Sequence, residues 1–319
     1  MKAYITPHDF LNLDQERALL QEIGVELIEI DSEDPVEIGL QAKDGVALFV
    51  EYTRIPAETV KELDNCKIIM RYGIGFDNVD LVAAGQRGIY VCNVPRYCIN
   101  EVADHTFSFL LAAARKLVSS NSAVHQGRWE FLSHRPIQCL AGKVLGLAGF
   151  GHIAQQVAKR AAGFDMNIIT YDPWASAEAL ETYGVRAVTL EELLQTSDYL
   201  SLHVPLNEDT KHFVNRTSLQ QMKHDVVIIN TARGGLIDTL AVSEALAAGV
   251  IGGVCVDVLE QEPPAQNHPL IGMKGAIITP HSAYYSEESL PRLQLQAAEE
   301  VVRVLKGKAP QSPVNLKWM

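Results

Sequence analysis

The stretch Lys143-Val144-Leu145-Gly146-Leu147-Ala148-Gly149-Phe150-Gly151-His152-Ile153-Ala154 decides the reading of the chain. An apolar run ends in G-x-G-x-x-A and passes into a helical pattern, the signature of a strand, a tight turn and a helix. Gly149 permits the turn, Gly151 lets the backbone approach a pyrophosphate, and Ala154 is small enough for the helix to lie on its strand. A phosphate would meet the free N–H groups and positive dipole at the helix start. Alone the pattern is weak, because glycine-rich turns also arise for packing reasons. Asp172 strengthens it: it closes the next apolar run, 23 residues after Gly149. An acid there can accept from ribose hydroxyls and repels a 2′-phosphate, and only Pro173 and Trp174 follow it, with no arginine. NAD is therefore expected, in preference to NADP.

Outward from this segment, short β-rich runs alternate with helical patterns. Strands are predicted at Val144–Ala148, Asn167–Asp172, Tyr199–His203, Val226–Asn230, Gly253–Asp257 and Ala276–Thr279. Helices are predicted at Ile153–Ala162, Ala175–Thr182 and Leu240–Ala248, with shorter ones around Leu190–Gln195 and Arg216–Met222. Six strands with such crossovers fit one doubly wound parallel sheet. The same rhythm runs earlier, with strands at Ala3–Thr6, Val25–Ile30, Val46–Val50, Lys67–Met70 and Tyr90–Asn93. Leu13–Glu22 and Ala57–Leu63 read as helices between them. Two longer helices frame the second series. One is capped by Asn100 and carries the stripe Ala103, Phe107, Leu110, Leu111, Ala114, Leu117 and Val118. The other runs through Leu293, Ala297, Val301, Val304 and Leu305 to a stop at Gly307.

A length of 319 residues suggests about two domains. The 39 acidic against 27 basic residues, a net charge of -12, argue against a broad nucleic-acid-binding surface. No apolar run approaches the roughly 18 residues of a membrane span, so no membrane partner is expected. Asp9 falls where a signal peptide carries its apolar stretch, which makes the cytoplasm the expected location. Cys66, Cys92, Cys98, Cys139 and Cys255 include no C-x-x-C pair. They read as buried or half-buried reduced thiols, and no metal site is expected.

Three later strands each lead into a polar loop residue. Val226–Asn230 leads to Arg233, Gly253–Asp257 to Glu262, and Ala276–Thr279 to His281. Ligands of open α/β sheets bind beyond the carboxyl ends of strands, so Arg, Glu and His would meet beside a nicotinamide. That trio suits reduction of a 2-oxo acid: a cation holds the carboxylate while an acid protonates the carbonyl oxygen as hydride arrives. Taken singly, each has a plainer reading as an ion-pair, solvated-loop or turn residue.

The sequence resembles the D-isomer-specific 2-hydroxyacid dehydrogenases, most closely the C-terminal-binding-protein branch. The resemblance rests on Arg71 to Asp80, Cys92-Asn93-Val94-Pro95, Gly149 to Ala154, Asn230 to Gly235, Asp257 to Pro264 and Pro280 to Ser286, in the family's order. It implies a catalytic set of Arg233, Glu262 and His281, with His281 as the acid in reduction and Glu262 as its hydrogen-bonding partner. It implies cofactor contacts at Ile74, Gly149, Gly151, His152, Ile153, Asp172, Pro205, Thr210, Thr231, Ala232, Arg233, Asp257 and His281. Asp257 would take the nicotinamide carboxamide. Substrate contacts would be Arg71, Gly73, Ile74, Gly75, Arg233 and Tyr284. Ala154 replaces the usual third glycine, Tyr284 stands where the corepressor branch has tryptophan, and Leu259 replaces a histidine or aromatic residue, so the substrate side chain cannot be carried across.

The expected architecture is α/β, with two Rossmann- or flavodoxin-like domains, each a doubly wound parallel sheet, and a cleft between them. The substrate domain would be discontinuous, 1–98 plus 286–319, around an NAD-binding domain at 99–285. The segment from the helix after Asn100 to Trp129 resembles the family's dimer contact, so a homodimer is expected. The function expected is an NAD-dependent D-2-hydroxyacid dehydrogenase acting as a 2-oxoacid reductase on a small 2-oxo or 2-hydroxy acid. An NADH-sensing, corepressor-like binding protein and a short-form phosphoglycerate dehydrogenase are the alternatives.

Overall fold

The computed structural model describes residues 1–319. The chain forms two compact units, Met1–Cys98 with Tyr285–Met319, and Ile99–Tyr284. The first unit carries strands β1 (Lys2–Ile5), β2 (Glu26–Glu29), β3 (Ala47–Val50), β4 (Ile68–Arg71) and β5 (Tyr90–Cys92). They pair in the parallel order β2-β1-β3-β4-β5, a flavodoxin-like arrangement. Helices α1 (Asp14–Gln21), α2 (Pro35–Gln41), α3 (Ala57–Glu62) and α4 (Leu81–Gln86) make the crossovers. Local chemistry starts several of them. Asp34 accepts from the Val36 and Glu37 amides with Pro35 in the first helical turn, and Asp80 accepts from the Ala83 amide.

The second unit opens with α5 (Ile99–Arg115) and α6 (Leu117–His125). Its strands are β6 (Val144–Ala148), β7 (Asn167–Tyr171), β8 (Arg186–Ala187), β9 (Tyr199–Leu202), β10 (Val227–Asn230), β11 (Gly253–Val256) and β12 (Ala276–Ile278). Its further helices are α7 (His152–Ala162), α8 (Ala177–Tyr183), α9 (Leu190–Thr196), α10 (Arg216–Gln221) and α11 (Thr239–Ala247). The parallel sheet runs β8-β7-β6-β9-β10-β11-β12, so strand order reverses between β6 and β9. Apolar clusters fill both faces, one built on Phe107, Leu110, Leu147 and Val157, the other on Leu200, Ile228, Val242 and Val254. That double burial is why these strands read as continuous apolar runs. The last helix, α12 (Ser289–Leu305), returns to the first unit and packs on α1 and β4.

Three expectations need correction. The helix predicted from an Asn100 cap begins two residues earlier than that cap implies, at Ile99, and is two helices. Lys116 adopts φ 54° and ψ 35°, the left-handed conformation, between α5 and α6. Leu117 and Val118, counted on the buried stripe, are exposed beyond that break. The second sheet also has a seventh strand, β8, whose two residues carry no apolar run. Of the cysteines, Cys139 is exposed, against the buried or half-buried expectation, and the other four are buried. Burial pushes the Cys66 and Cys255 thiols up to about 12. No helix is long and apolar enough to cross a membrane.

Gly146, central in β6, has no room for a side chain: a Cβ there would lie 2.0 Å from Ser197 Oγ and 3.0 Å from Leu193 Cδ1. Gly146→Ala is expected to destabilise the chain by about 1–3 kcal/mol through overpacking, measured as a lower urea midpoint at unchanged slope.

Candidate active site

At the reversal of strand order, the turn after β6 meets the end of β9. Gly149 has φ 93°, and a Cβ there would lie 2.8 Å from the His203 carbonyl oxygen. Glycine is thus required twice over at this point. Gly151 precedes α7 with no side-chain cap, and nothing lies within 4 Å of where its Cβ would be. The turn therefore leaves room beside Gly151 for a ligand to approach the start of α7, where a helix N-terminus favours a pyrophosphate. Ala154 is wholly buried behind them.

Asp172 ties this turn down. Its two carboxylate oxygens accept from Phe150 N and Trp174 N, each at 2.8 Å. A carboxylate offers about four acceptor positions, so further ones remain for ribose hydroxyls. His203 bonds Ser201 Oγ at 2.9 Å, and desolvation pushes its imidazole down to about 4, leaving it neutral. Pro205 and Thr210 come together: the Thr210 hydroxyl donates to the Pro205 carbonyl at 2.6 Å and closes the loop between them.

The three chemistry-bearing loops leave β10, β11 and β12, which are adjacent in the sheet. Buried Asn230 shapes the first: it accepts from Ala232 N at 3.0 Å and donates to the Arg233 carbonyl at 2.8 Å. Gly234 then packs directly on the second, since a Cβ would fall 1.9 Å from the Leu259 carbonyl carbon. That close approach sets the register of Arg233 against the loop bearing Glu262. One Glu262 oxygen accepts from Leu259 N at 2.8 Å; the other lies 2.6 Å from His281 Nδ1. Burial raises the Glu262 carboxyl, but the hydrogen bond and charge of His281, the Leu259 amide and the charge of Arg233 outweigh it and hold the group below its ordinary value. Beside it, Glu260 bonds His212 Nε2 at 2.8 Å and accepts from Thr239 N, which anchors the loop from its other side.

Asp257, 2% exposed, organises the third loop. Its carboxylate accepts from Thr279 Oγ1 at 2.5 Å, Ser282 N at 2.9 Å and Ala283 N at 2.8 Å, and its carbonyl accepts from His281 N at 2.8 Å. His281 sits between these contacts with φ 51°, a conformation that non-glycine residues adopt rarely and at a cost of about 1–3 kcal/mol. The Tyr284 ring lies edge-on to His281, with centroids 6.2 Å apart.

In the first unit, Arg71 ends β4 and folds over Gly73, whose φ of 129° and lack of Cβ make room for the guanidinium. Asn93 Nδ2 donates to the Ile74 carbonyl at 2.6 Å, and Val94 N to the Gly73 carbonyl at 2.9 Å. The motif at 92–95 thus braces the Gly73–Gly75 loop.

His105 and Thr106 belong to no motif in the sequence. The Thr106 hydroxyl bonds Thr231 Oγ1 at 2.7 Å, and His105 Nε2 bonds Thr279 Oγ1 at 2.9 Å. The one signal available was the polar pair Asp104–His105 with Thr106, interrupting an apolar helical stripe.

Residues 107–283 match the family described as D-isomer specific 2-hydroxyacid dehydrogenase, NAD binding domain. The chain is 38% identical to a glyoxylate reductase of Korarchaeum cryptofilum, over 82% of this chain and 80% of that one. It is also 38% identical to a D-3-phosphoglycerate dehydrogenase of Archaeoglobus fulgidus, over 83% of this chain but 50% of that one, so it spans about half of that relative's length. A D-lactate dehydrogenase of Aquifex aeolicus, solved with NAD and lactic acid, superposes with a TM-score of 0.86 at 27% identity, covering 99% of this chain and 97% of that one. The chain belongs to the D-isomer-specific 2-hydroxyacid dehydrogenase family.

Because the Glu262 carboxyl is held below its ordinary value of 4.5, it contributes stability that is present above that value and lost as pH falls through its lowered folded value. The stability difference between the wild type and Glu262→Gln is expected to shrink below pH 4.5. Urea titrations across pH test this; a difference unchanged down the acid range contradicts the assignment.

Proposed function

We propose that this protein is an NAD-dependent D-2-hydroxyacid dehydrogenase working as a reductase of small 2-oxo acids. The observation that carries the reading is the 2.6 Å contact between His281 Nδ1 and Glu262 on the loops after β11 and β12, with Arg233 on the adjacent loop. Bound NADH would supply the hydride. Gly149, Gly151, His152 and Ile153 would hold its pyrophosphate; Asp172 the adenosine ribose; Ile74, Pro205, Thr210, Thr231, Ala232 and Asp257 the rest. The preference for NAD over NADP rests on Asp172, whose charge opposes a 2′-phosphate.

In this reading Arg233 pairs its guanidinium with the substrate carboxylate and orients the carbonyl. Glu262 accepts from Nδ1 of His281, leaving Nε2–H directed to the substrate, and the charged ring gives that proton to the carbonyl oxygen. In the reverse direction the neutral ring takes it back. Arg71, with the Gly73, Ile74 and Gly75 backbone, and Tyr284 are the proposed remaining substrate contacts. The protein is proposed to be a cytoplasmic homodimer. What supports self-association is a run of exposed apolar side chains outside the cores: Leu117 and Val118 on α6, then Trp129 at 90% and Phe131 at 66% exposure.

Identity to a phosphoglycerate dehydrogenase keeps phosphohydroxypyruvate as a second candidate substrate. The corepressor-like reading would instead give tight NADH binding with negligible turnover.

NADH oxidation followed against glyoxylate, hydroxypyruvate, pyruvate, phenylpyruvate and phosphohydroxypyruvate is expected to show turnover with at least one. His281→Ala should lower kcat by about 10²–10⁴-fold, the usual contribution of a positioned acid, with NADH affinity nearly kept. Asp172→Ala should weaken NADH binding and narrow the gap between NADH and NADPH; an unchanged gap removes its ribose role. Tight NADH binding without turnover on any acid would replace this reading with the sensing one.

A further inference from the structure

We propose that His105 and Thr279 are positioning residues for the acid–base histidine, acting through Asp257 from the helix behind the sheet. The inference rests on the reading of His281 as the proton donor, and it adds two residues to that site.

The hydrogen-bond directions follow from the donors available. Asp257 is an acceptor only while ionised, and it already takes the Ser282 and Ala283 amides. The Thr279 hydroxyl, 2.5 Å from the same carboxylate, must therefore spend its single proton on Asp257. Its oxygen is left to accept from His105 Nε2 at 2.9 Å, so that nitrogen carries a hydrogen. His105 Nε2 itself stands 3.7 Å from Asp257 Oδ1, too far for a direct hydrogen bond. Thr279 is thus the one connector among the observed contacts.

The His105 ring is fixed independently. It lies edge-to-face against Phe109, one turn along α5, with centroids 4.6 Å apart. The Phe109 carbonyl in turn faces the Cys255 thiol of β11. The chain from α5 runs His105, Thr279, Asp257, then the Ser282 and Ala283 amides on either side of the carboxylate. His281 lies between Thr279 and these amides, in the left-handed conformation, with its own amide on the Asp257 carbonyl. A side chain so placed keeps its ring where Glu262 can meet Nδ1 only if the backbone on both sides is held. Thr279 holds one side and the two amides hold the other. Losing the threonine hydroxyl frees one Asp257 oxygen to rotate away from Ser282 and lets the His281 backbone relax towards ordinary φ.

The test uses Thr279→Val, which preserves volume, with Thr279→Ser and His105→Phe alongside. Thr279→Val is expected to lower kcat roughly tenfold, the scale of one charge-assisted hydrogen bond. Thr279→Ser should restore kcat. His105→Phe keeps a ring against Phe109 and should lower kcat in the same sense. A second readout does not need turnover: NMR of ring-labelled histidine in the NADH-free protein, with the His281 signal identified by its loss in His281→Ala. That signal should move in Thr279→Val and return in Thr279→Ser. Wild-type kcat and an unmoved His281 signal in Thr279→Val would overturn the proposal, as would a loss in that variant that serine does not rescue. If the wild type turns over no 2-oxo acid, the reductase reading fails by itself and the NMR arm still decides the positioning claim. Should Thr279→Val not fold, His105→Phe is judged by the same two readouts.

Discussion

A buried carboxylate that must be satisfied governs the loops at the carboxyl end of the second sheet. Asp257 is almost fully enclosed, and an ionised carboxylate taken out of water is tolerable only when its acceptor positions are filled. Three donors occupy most of them, and all three come from one short loop, Thr279 to Ala283. Satisfying the charge therefore dictates the path of that loop, including the left-handed turn at His281. The strain at His281 is a local cost of a larger electrostatic requirement, and it places a titratable ring beside Glu262.

Close backbone approach does the complementary work on the neighbouring loops. Gly234 admits the Leu259–Glu260 backbone where any side chain would collide, and Gly149 admits the His203 carbonyl. Both are places where a loop after one strand leans on the loop after the next. The crevice beyond the strand ends is accordingly a set of mutually braced turns. Rigidity of this kind suits the proposed reaction, in which a proton donor, a cation and a cofactor must hold fixed distances.

Much of this was legible in the sequence, for physical reasons. Gly149, Gly151 and Asp172 could be read because the backbone demands of a phosphate turn leave few residue choices. Arg233, Glu262 and His281 could be grouped because each follows a predicted strand at a similar offset and because their order matches a known family. What escaped has an equally physical cause. His105 and Thr106 look like solvent-facing interruptions of a helical stripe until the helix is laid on β10 and β11. The break at Lys116 was hidden because Leu117 and Val118 continue the apolar period although the structure exposes them. The strand β8 was too short to carry a period at all.

The return of the chain to its first unit has a consequence for synthesis. Residues 99–284 are one uninterrupted segment that holds its entire sheet, whereas the first unit lacks α12 until that whole segment has been made. Leu293, Ala297 and Val301 of that helix are buried, and the helix covers α1 and β4. While the ribosome extends the middle of the chain, those apolar surfaces of the first unit stay uncovered. The unit that begins before the second is thus completed after it, and it bears the greater need for protection from aggregation during translation.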